Sequence, residues 1–264
     1  MPPAPPDDPD GTPGAGRRSD RSVAAMPRWP SPFPPDVAFC QAGAGDAASR
    51  HQRSLLPPER ALLGERAAPR RVLEFTLGRG CARAALAALV PARAEELAAT
   101  PILRADARRP LWPEGIVGSI THHRGSAAAA VARAADYVGI GLDVEALRRP
   151  TPALLRRILR PEERERWQAL PPAAQAAAFV GAFSAKESVF KALYPVTGLY
   201  LGFQDATVAL DVELAAGAAP GSGPVALRWR LQREAGPGFP AGYAGVGCAL
   251  AQDGYVLTAV WVRC

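Results

Sequence analysis

From Ala173 to Tyr194 the chain is built of good helix formers, with neither Gly nor Pro between Ala182 and Tyr194, and a long helix is predicted there. At about 100° per residue, Phe179, Phe183, Phe190 and Tyr194 gather on one side of it. A face that aromatic needs an apolar layer to cover it. From Asp205 onward the pattern turns to strands, at Thr207 to Leu214, Val225 to Gln232, Tyr243 to Ala251 and Tyr255 to Val262. Gly-rich and Pro-rich turns separate them, and Asp253-Gly254 is the strongest hairpin signal in the chain.

The same helix holds the chain's two lysines, Lys186 and Lys191, whereas 29 of its 31 cationic residues are Arg. Lysine is a compact, rotatable point charge and Arg a planar fork, so the choice matters at a tight phosphate or carboxylate site. Glu187 falls close to the aromatic stripe, where a carboxylate needs a partner. That partner is either Lys191 one turn on, as an ordinary i,i+4 pair, or a cation held where the helix face meets a ligand.

Upstream, Gly139-Ile-Gly-Leu-Asp-Val-Glu145 reads as a strand. Side chains repeat every two residues on a strand, so Asp143 and Glu145 share one face while Leu142 and Val144 share the other. Two adjacent carboxylates repel unless a cation lies between them, and a hard divalent ion such as Mg²⁺ takes such oxygen ligands. A solvated strand edge is the alternative. Gly118-Ser-Ile-Thr-His-His-Arg-Gly125 places Thr121, His122 and His123 on a strand end or turn.

Before that lies a helix from Ala68 to Leu89, expected to be interrupted at Gly78-Arg-Gly80, where small residues would let a ligand approach the backbone. Arg79 and Arg83 are candidate phosphate contacts in it, with solvated helix-face arginines as the alternative. The apolar runs Ala127 to Ala135 and Tyr137 to Leu147 look like an antiparallel pair. Residues 1–34, rich in Pro, Gly, Asp and Arg, read as a disordered tail. Two short helices, Pro152 to Leu159 and Pro161 to Leu170, each open on proline.

These elements predict an α+β fold of two α/β halves, residues 35–138 and 139–264, packed face to face. No apolar run approaches the 18 to 20 residues of a membrane span, and the N-terminus lacks a secretory signal layout. Cys40, Cys81, Cys248 and Cys264 form no Cys-x-x-Cys pair, so reduced thiols in cytoplasm are expected. A net charge of +6 suits anionic ligands or acidic partners, but Arg is spread along the chain and nucleic acid is not indicated.

Taken in order, these segments resemble the 4'-phosphopantetheinyl transferases of the Sfp superfamily, most closely the enterobactin-synthetase component D type. Phe75 to Ala85 resembles the Gly-Arg-x-x-Ala-Arg helix of that group, and Trp112 to His122 its Trp-Pro-x-Gly-x-x-Gly-Ser-Ile-Thr-His stretch. Gly139 to Glu145 resembles its Gly-Ile-Asp-x-Glu, and Phe183 to Lys191 its Phe-Ser-x-Lys-Glu-Ser-x-x-Lys. The resemblance implies two pseudo-symmetric halves with coenzyme A in the cleft between them. It further implies an Mg²⁺-dependent, monomeric enzyme that moves 4'-phosphopantetheine from coenzyme A to a serine of an apo carrier protein. On that likeness Asp143, Glu145 and Glu187 would hold Mg²⁺, while Lys191 and His122, beside Thr121, would contact phosphates. Arg79, Arg83 and Arg108 or Arg109 would reach the 3'-phosphoadenosine end. Lys186 would read phosphate or developing charge beside Glu187, and the base would be Glu187 or a metal-bound water. An acidic carrier would dock on the helix pair Thr151 to Leu170, and the pathway (siderophore, polyketide, nonribosomal peptide or fatty acid) stays open.

The alternatives are a catalytically degenerate coenzyme A-binding or regulatory protein of the same fold, a Mg²⁺-dependent nucleotide hydrolase, and a DNA-binding module. The second lacks a Walker-type loop and the third a basic, exposed recognition helix.

Overall fold

The computed structural model of the chain describes residues 26–43, 54–105, 109–210 and 224–264. In chain order these fold as β1 (Ala38–Gly43), α1 (Pro57–Arg60), α2 (Pro69–Leu89), α3 (Ala94–Ala98), β2 (Leu103–Arg104), β3 (Pro110–Leu111), β4 (Ile116–His123), β5 (Ser126–Arg133) and β6 (Tyr137–Ala146). Then come α4 (Pro152–Ile158), α5 (Pro161–Gln168), α6 (Pro172–Thr197), β7 (Ala206–Leu210), β8 (Val225–Leu231), β9 (Ala244–Gln252) and β10 (Tyr255–Arg263). One antiparallel sheet runs β1-β5-β4 and a second β6-β10-β9-β8-β7, with β2 and β3 as a short ladder apart. The fold is α+β, as the sequence predicts.

Strand β5 is apolar on both faces because each face is covered. Ala127, Ala129 and Val131 pack under Leu77, Cys81, Ala85 and Leu86 of α2. Ala128, Ala130 and Ala132 face Ile140, Leu142 and Val144 of β6 with Leu257 and Ala259 of β10, forming a core shared by the two sheets. The outer face of the five-stranded sheet carries α6, whose Ala185, Val189 and Ala192 meet Val256, Val260 and Trp229.

Two glycines set how closely α6 lies on β6. A Cβ at Gly139 would stand 2.2 Å from the Ala192 carbonyl oxygen, and one at Gly141 would stand 1.8 Å from that of Ser188. The helix backbone therefore rests on the strand, and the next two residues on that face, Asp143 and Glu145, come beside it.

Strand β6 lies at the edge of its sheet, and side chains of β4 satisfy its outward backbone groups. Leu142 N donates to Ser119 Oγ at 3.0 Å and Val144 N to Thr121 Oγ1 at 3.2 Å. The two sheets are thereby joined along a seam with site residues on both sides of it.

Several expectations give way. β5 and β6 are not an antiparallel pair: β5 pairs with β1 and β4, and β6 with β10. Both are apolar on two faces, which periodicity cannot distinguish from a hairpin. Helix α2 is uninterrupted at Gly78, where a Cβ would stand 2.9 Å from Ile120 Cγ2, so the small residue serves the approach of β4 to the helix. The expected tail divides: residues 1–25 lie outside the described residues, but Trp29 and Phe33 are buried in the shared core and Trp29 N donates to Gln41 Oε1 at 3.2 Å. Strand β7 is seen to Leu210, and the expected continuation to Leu214 lies outside the described residues. Asp253 and Gly254 take φ of 49° and 80°, the left-handed pair that a two-residue hairpin turn requires.

Candidate active site

Asp143 and Glu145 on β6 and Glu187 on α6 lie near enough where these elements meet for their charges to act on one another. Asp143 accepts from Lys191 Nζ at 2.6 Å, and the same ammonium donates to the Leu142 carbonyl at 3.2 Å. Thr121 Oγ1 lies 3.4 Å from Asp143 Oδ1, while Asp143 Oδ2 is buried without a partner. Glu145 is pushed up to about 8 by burial and by the Asp143 charge. Glu187 is raised by burial and by Asp143, with Lys191 opposing. Burial works against the Lys191 charge, but Asp143, Glu187 and Glu145 outweigh it and its pKa rises.

One ammonium thus pairs with Asp143 and feels the charges of Glu145 and Glu187, while a buried carboxylate oxygen of Asp143 has nothing to bind. Such an all-oxygen donor set suits a hard divalent cation. As they stand, no three acid, imidazole or thiol groups among the described residues are placed to hold a metal ion together.

A second cluster lies on α2 and β4. The Arg79 guanidinium stacks 4.4 Å above the Phe75 ring, with Arg104 at 4.9 Å and Arg71 at 5.8 Å from the same ring. Burial, helped by the like charges of Arg104, Arg71 and Arg83 and opposed by Glu59, lowers Arg79 to about 10. Its Nε is buried and lacks a hydrogen-bond partner. Cations crowded this way favour an anion among them. His122 is held on the exposed side of β4, Nδ1 3.3 Å from Glu74 Oε2 and Nε2 3.3 Å from Arg71 Nη1. Burial opposes the Glu74 charge, but hydrogen bonds from His122 and Arg70 hold it down to about 2.

The predicted site residues therefore separate into groups. Asp143, Glu145, Glu187, Lys191 and Thr121 come together, and Arg79 and His122 stand on the facing elements. Arg83 is turned inward: it pairs with buried Glu59 and donates to the Ser54 carbonyl at 2.6 Å. Glu59 also accepts from Ile102 N at 3.0 Å, so the pair ties α1, α2 and the start of β2 together. Arg109 sits in the β2–β3 ladder, its carbonyl accepting from Ala105 N at 2.9 Å, and Arg108 lies outside the described residues.

Lys186 requires a correction. Its Nζ lies 2.6 Å from Glu163 Oε2 and 2.8 Å from the carbonyls of Ile158 and Phe203. All three ammonium protons are engaged inside the protein, on the side of α6 that meets α5 and the loop before β7. The lysine neighbours Glu187 in sequence but points about 100° away around the helix. Sequence reasoning also missed Arg104 and Phe75 as parts of the cationic cluster. An aromatic one turn before Arg79 is the signal for Phe75, whereas nothing local marks Arg104.

Two family descriptions match in tandem: "4'-phosphopantetheinyl transferase N-terminal domain" over residues 58–132 and "4'-phosphopantetheinyl transferase superfamily" over residues 139–259. The break between them falls at the turn joining β5 to β6. The 4'-phosphopantetheinyl transferase Npt of Nocardia iowensis is 32% identical over 206 residues, 77% of this chain and 87% of that protein. The 4'-phosphopantetheinyl transferase Svp of Streptomyces mobaraensis is 45% identical over 160 residues, 60% of this chain. That match spans 62% of the length of Svp. Enterobactin synthase component D of Salmonella typhi is 35% identical over 150 residues, 56% of this chain and 58% of that protein.

Proposed function

The chain belongs to the 4'-phosphopantetheinyl transferase superfamily, and on that basis we propose that it transfers 4'-phosphopantetheine from coenzyme A to a serine hydroxyl of an apo carrier protein. The serine oxygen forms a bond to the phosphorus that carries pantetheine. The bond from that phosphorus to the bridging oxygen breaks, and 3',5'-ADP leaves. The observation that carries this reading is the Asp143–Lys191 ion pair at 2.6 Å with a buried, unpartnered Asp143 carboxylate oxygen, in a place where burial and Asp143 raise the pKa of both Glu145 and Glu187.

Asp143, Glu145 and Glu187 would hold Mg²⁺, which supplies charge neutralisation at the pyrophosphate. Lys191 offsets further charge on the phosphate oxygens as a compact cation. Thr121 holds Asp143 in place, Arg79 and His122 receive the outlying phosphate, and Arg83 supports the helix that presents Arg79. Glu187 would accept the serine proton. Positioning and electrostatics thus supply most of the catalysis expected for phosphoryl transfer.

The carrier is an acidic protein docking beside the cleft, where exposed Leu147, Arg148 and Arg149 precede α4 and exposed Arg156 and Arg157 lie in its last turn. Leu154 and Leu155 pack against the core under that surface. The four thiols are free, which supports a reducing, cytoplasmic setting, and no helix among the described residues is long and apolar enough to cross a membrane.

Incubation with coenzyme A, Mg²⁺ and an apo carrier domain, followed by intact mass, tests the reading. A phosphopantetheine adduct on the carrier serine is expected. Coenzyme A binding with no adduct on any of several apo carriers would overturn it in favour of a binding protein.

A further inference from the structure

Three hydroxyls lie fully buried where α6 packs on the five-stranded sheet: Ser184 and Ser188 of α6 and Thr258 of β10. Thr258 Oγ1 is 2.8 Å from both Ser184 Oγ and Ser188 Oγ, and Ser188 Oγ donates to the Thr258 carbonyl at 3.1 Å. One proton order satisfies every donor: Ser184 donates to Thr258, Thr258 to Ser188, and Ser188 to the carbonyl. The side chains packed between the same two elements, among them Ala185, Val189, Ala192, Val256 and Val260, are apolar.

Folding alone does not call for these hydroxyls. Apolar burial is non-directional, and replacing a bonded set of buried polar groups by apolar groups of the same shape is close to neutral for stability. Hydrogen bonds add direction. They fix how α6 is turned about its axis and where it lies along β10, which small side chains such as Ala185 and Ala192 do not. Thr258 pairs with Asp143 across β10 and β6, so these two side chains stand next to one another on the face that meets α6. Ser188 lies between Glu187 and Lys191 on the helix, about 100° around from the first and about 60° from the second. Its carbonyl is also the group that closes on Gly141. The hydroxyl chain therefore anchors the turn of α6 from which Lys191 Nζ reaches Asp143 at 2.6 Å.

We propose that Ser184, Ser188 and Thr258 are positioning residues of the transfer site, and that their hydroxyl chain sets the rotation and height of α6 at which Glu187 and Lys191 meet Asp143. All three are sealed from solvent and act only through the helix. The role rests on the transferase reading of Asp143, Glu187 and Lys191, whereas the placement of α6 is measurable without any ligand.

The two lysines make the test direct. In protein grown on ¹³C-lysine only Lys186 and Lys191 give lysine Cε signals. Lys186 pairs with Glu163 about 160° around α6 from Ser188, which makes it the internal control. Ser184→Ala/Ser188→Ala/Thr258→Val removes the hydroxyl chain and nearly keeps its shape, so the melting temperature should stay close to that of the parent. The Lys191 signal of this triple variant is expected to move towards that of a solvent-exposed lysine while the Lys186 signal stays in place. Thr258→Ser alone should keep both parent signals. An unmoved Lys191 signal in the triple variant would overturn the proposal. So would displacement of both signals with a large fall in melting temperature, which marks a support shared by the whole helix, or a Lys191 signal displaced by Thr258→Ser. The spectra are taken without coenzyme A or Mg²⁺, so a chain that modifies no carrier refutes the transferase reading and leaves this result as it is.

Discussion

Lys186 and Glu163 form an ion pair at 2.6 Å whose side chains keep only 2% and 3% of their surface open to solvent. Glu163 also accepts from Arg160 N at 2.8 Å and from Val208 N at 2.8 Å, capping α5 and the outer edge of β7 with one carboxylate. Removing the ammonium leaves that carboxylate buried and unpaired, a loss of about 3–5 kcal/mol. Lys186→Met is therefore expected to lower the unfolding free energy read from urea titration by that amount, and Glu163→Gln to lower it as well. A Lys186→Met protein of unchanged stability but lost turnover would reverse the assignment and return the lysine to catalysis.

How much of this was legible follows from where each partner lies in the chain. The elements meeting at the site were readable because glycines and carboxylates alternate within a single strand, Gly139 to Glu145, and because α6 has one continuous pattern. The Lys186 partner lies 23 residues upstream on another helix, and no helical period states which side of α6 that helix will occupy. Arg83 is similar: Glu59 lies 24 residues away beyond a loop, so a buried pair looked like a free cation. Trp29 and Phe33 were lost in a Pro-rich composition, although two large aromatics so close together were themselves a packing signal.

Arg79 and Arg83 share a helix and should answer mutation in opposite ways. Arg83→Gln breaks the buried pair with Glu59 and should cost about 3–5 kcal/mol by denaturation. Arg79→Gln removes one of several crowded cations whose Nε has no protein partner, so folding should be almost unaffected. Its coenzyme A affinity should fall by about tenfold or more, as expected for a lost charge-assisted hydrogen bond of about 1.5–3 kcal/mol. Calorimetric titration with coenzyme A and with 3'-dephospho-coenzyme A separates the two ends of the ligand. An equal loss for both ligands would place Arg79 away from the 3'-phosphate.

Glu145 gives the metal-free protein a pH signature. Its folded pKa of about 8 lies above its ordinary 4.5, so the folded chain holds a proton that the unfolded chain releases between these values. The stability contributed is fully present below about pH 4.5 and is lost as the pH rises through about 8. Glu187 is shifted in the same direction. Glu74, held down to about 2, does the opposite: its contribution is present above its ordinary 4.5 and is lost as the pH falls towards 2. Melting curves of chelated protein should thus fall from mildly acidic to alkaline pH, and Glu145→Gln should flatten that side. Mg²⁺ competes with the same proton and should stabilise most at the alkaline end. A Mg²⁺ shift equal at every pH, or one retained in Glu145→Gln, would remove Glu145 from the metal set.

Thr121 joins the two sheets at the atom where the site begins. Its hydroxyl accepts from Val144 N at 3.2 Å and faces Asp143 Oδ1 at 3.4 Å, with 3% of the residue exposed. Valine has the same shape but no hydroxyl, so Thr121→Val strands a buried backbone N–H and should cost about 1–3 kcal/mol. Thr121→Ser keeps the oxygen and should cost less. The two also differ at the site: in the valine variant Asp143 is held only through Lys191, so Mg²⁺ affinity should fall, whereas serine should preserve it. Hydrogen exchange gives the local readout, because the Val144 amide should lose protection in the valine variant while the amides of β10 that pair with β6 stay protected. Unchanged exchange at Val144 would mean that β4 does not close the edge of β6.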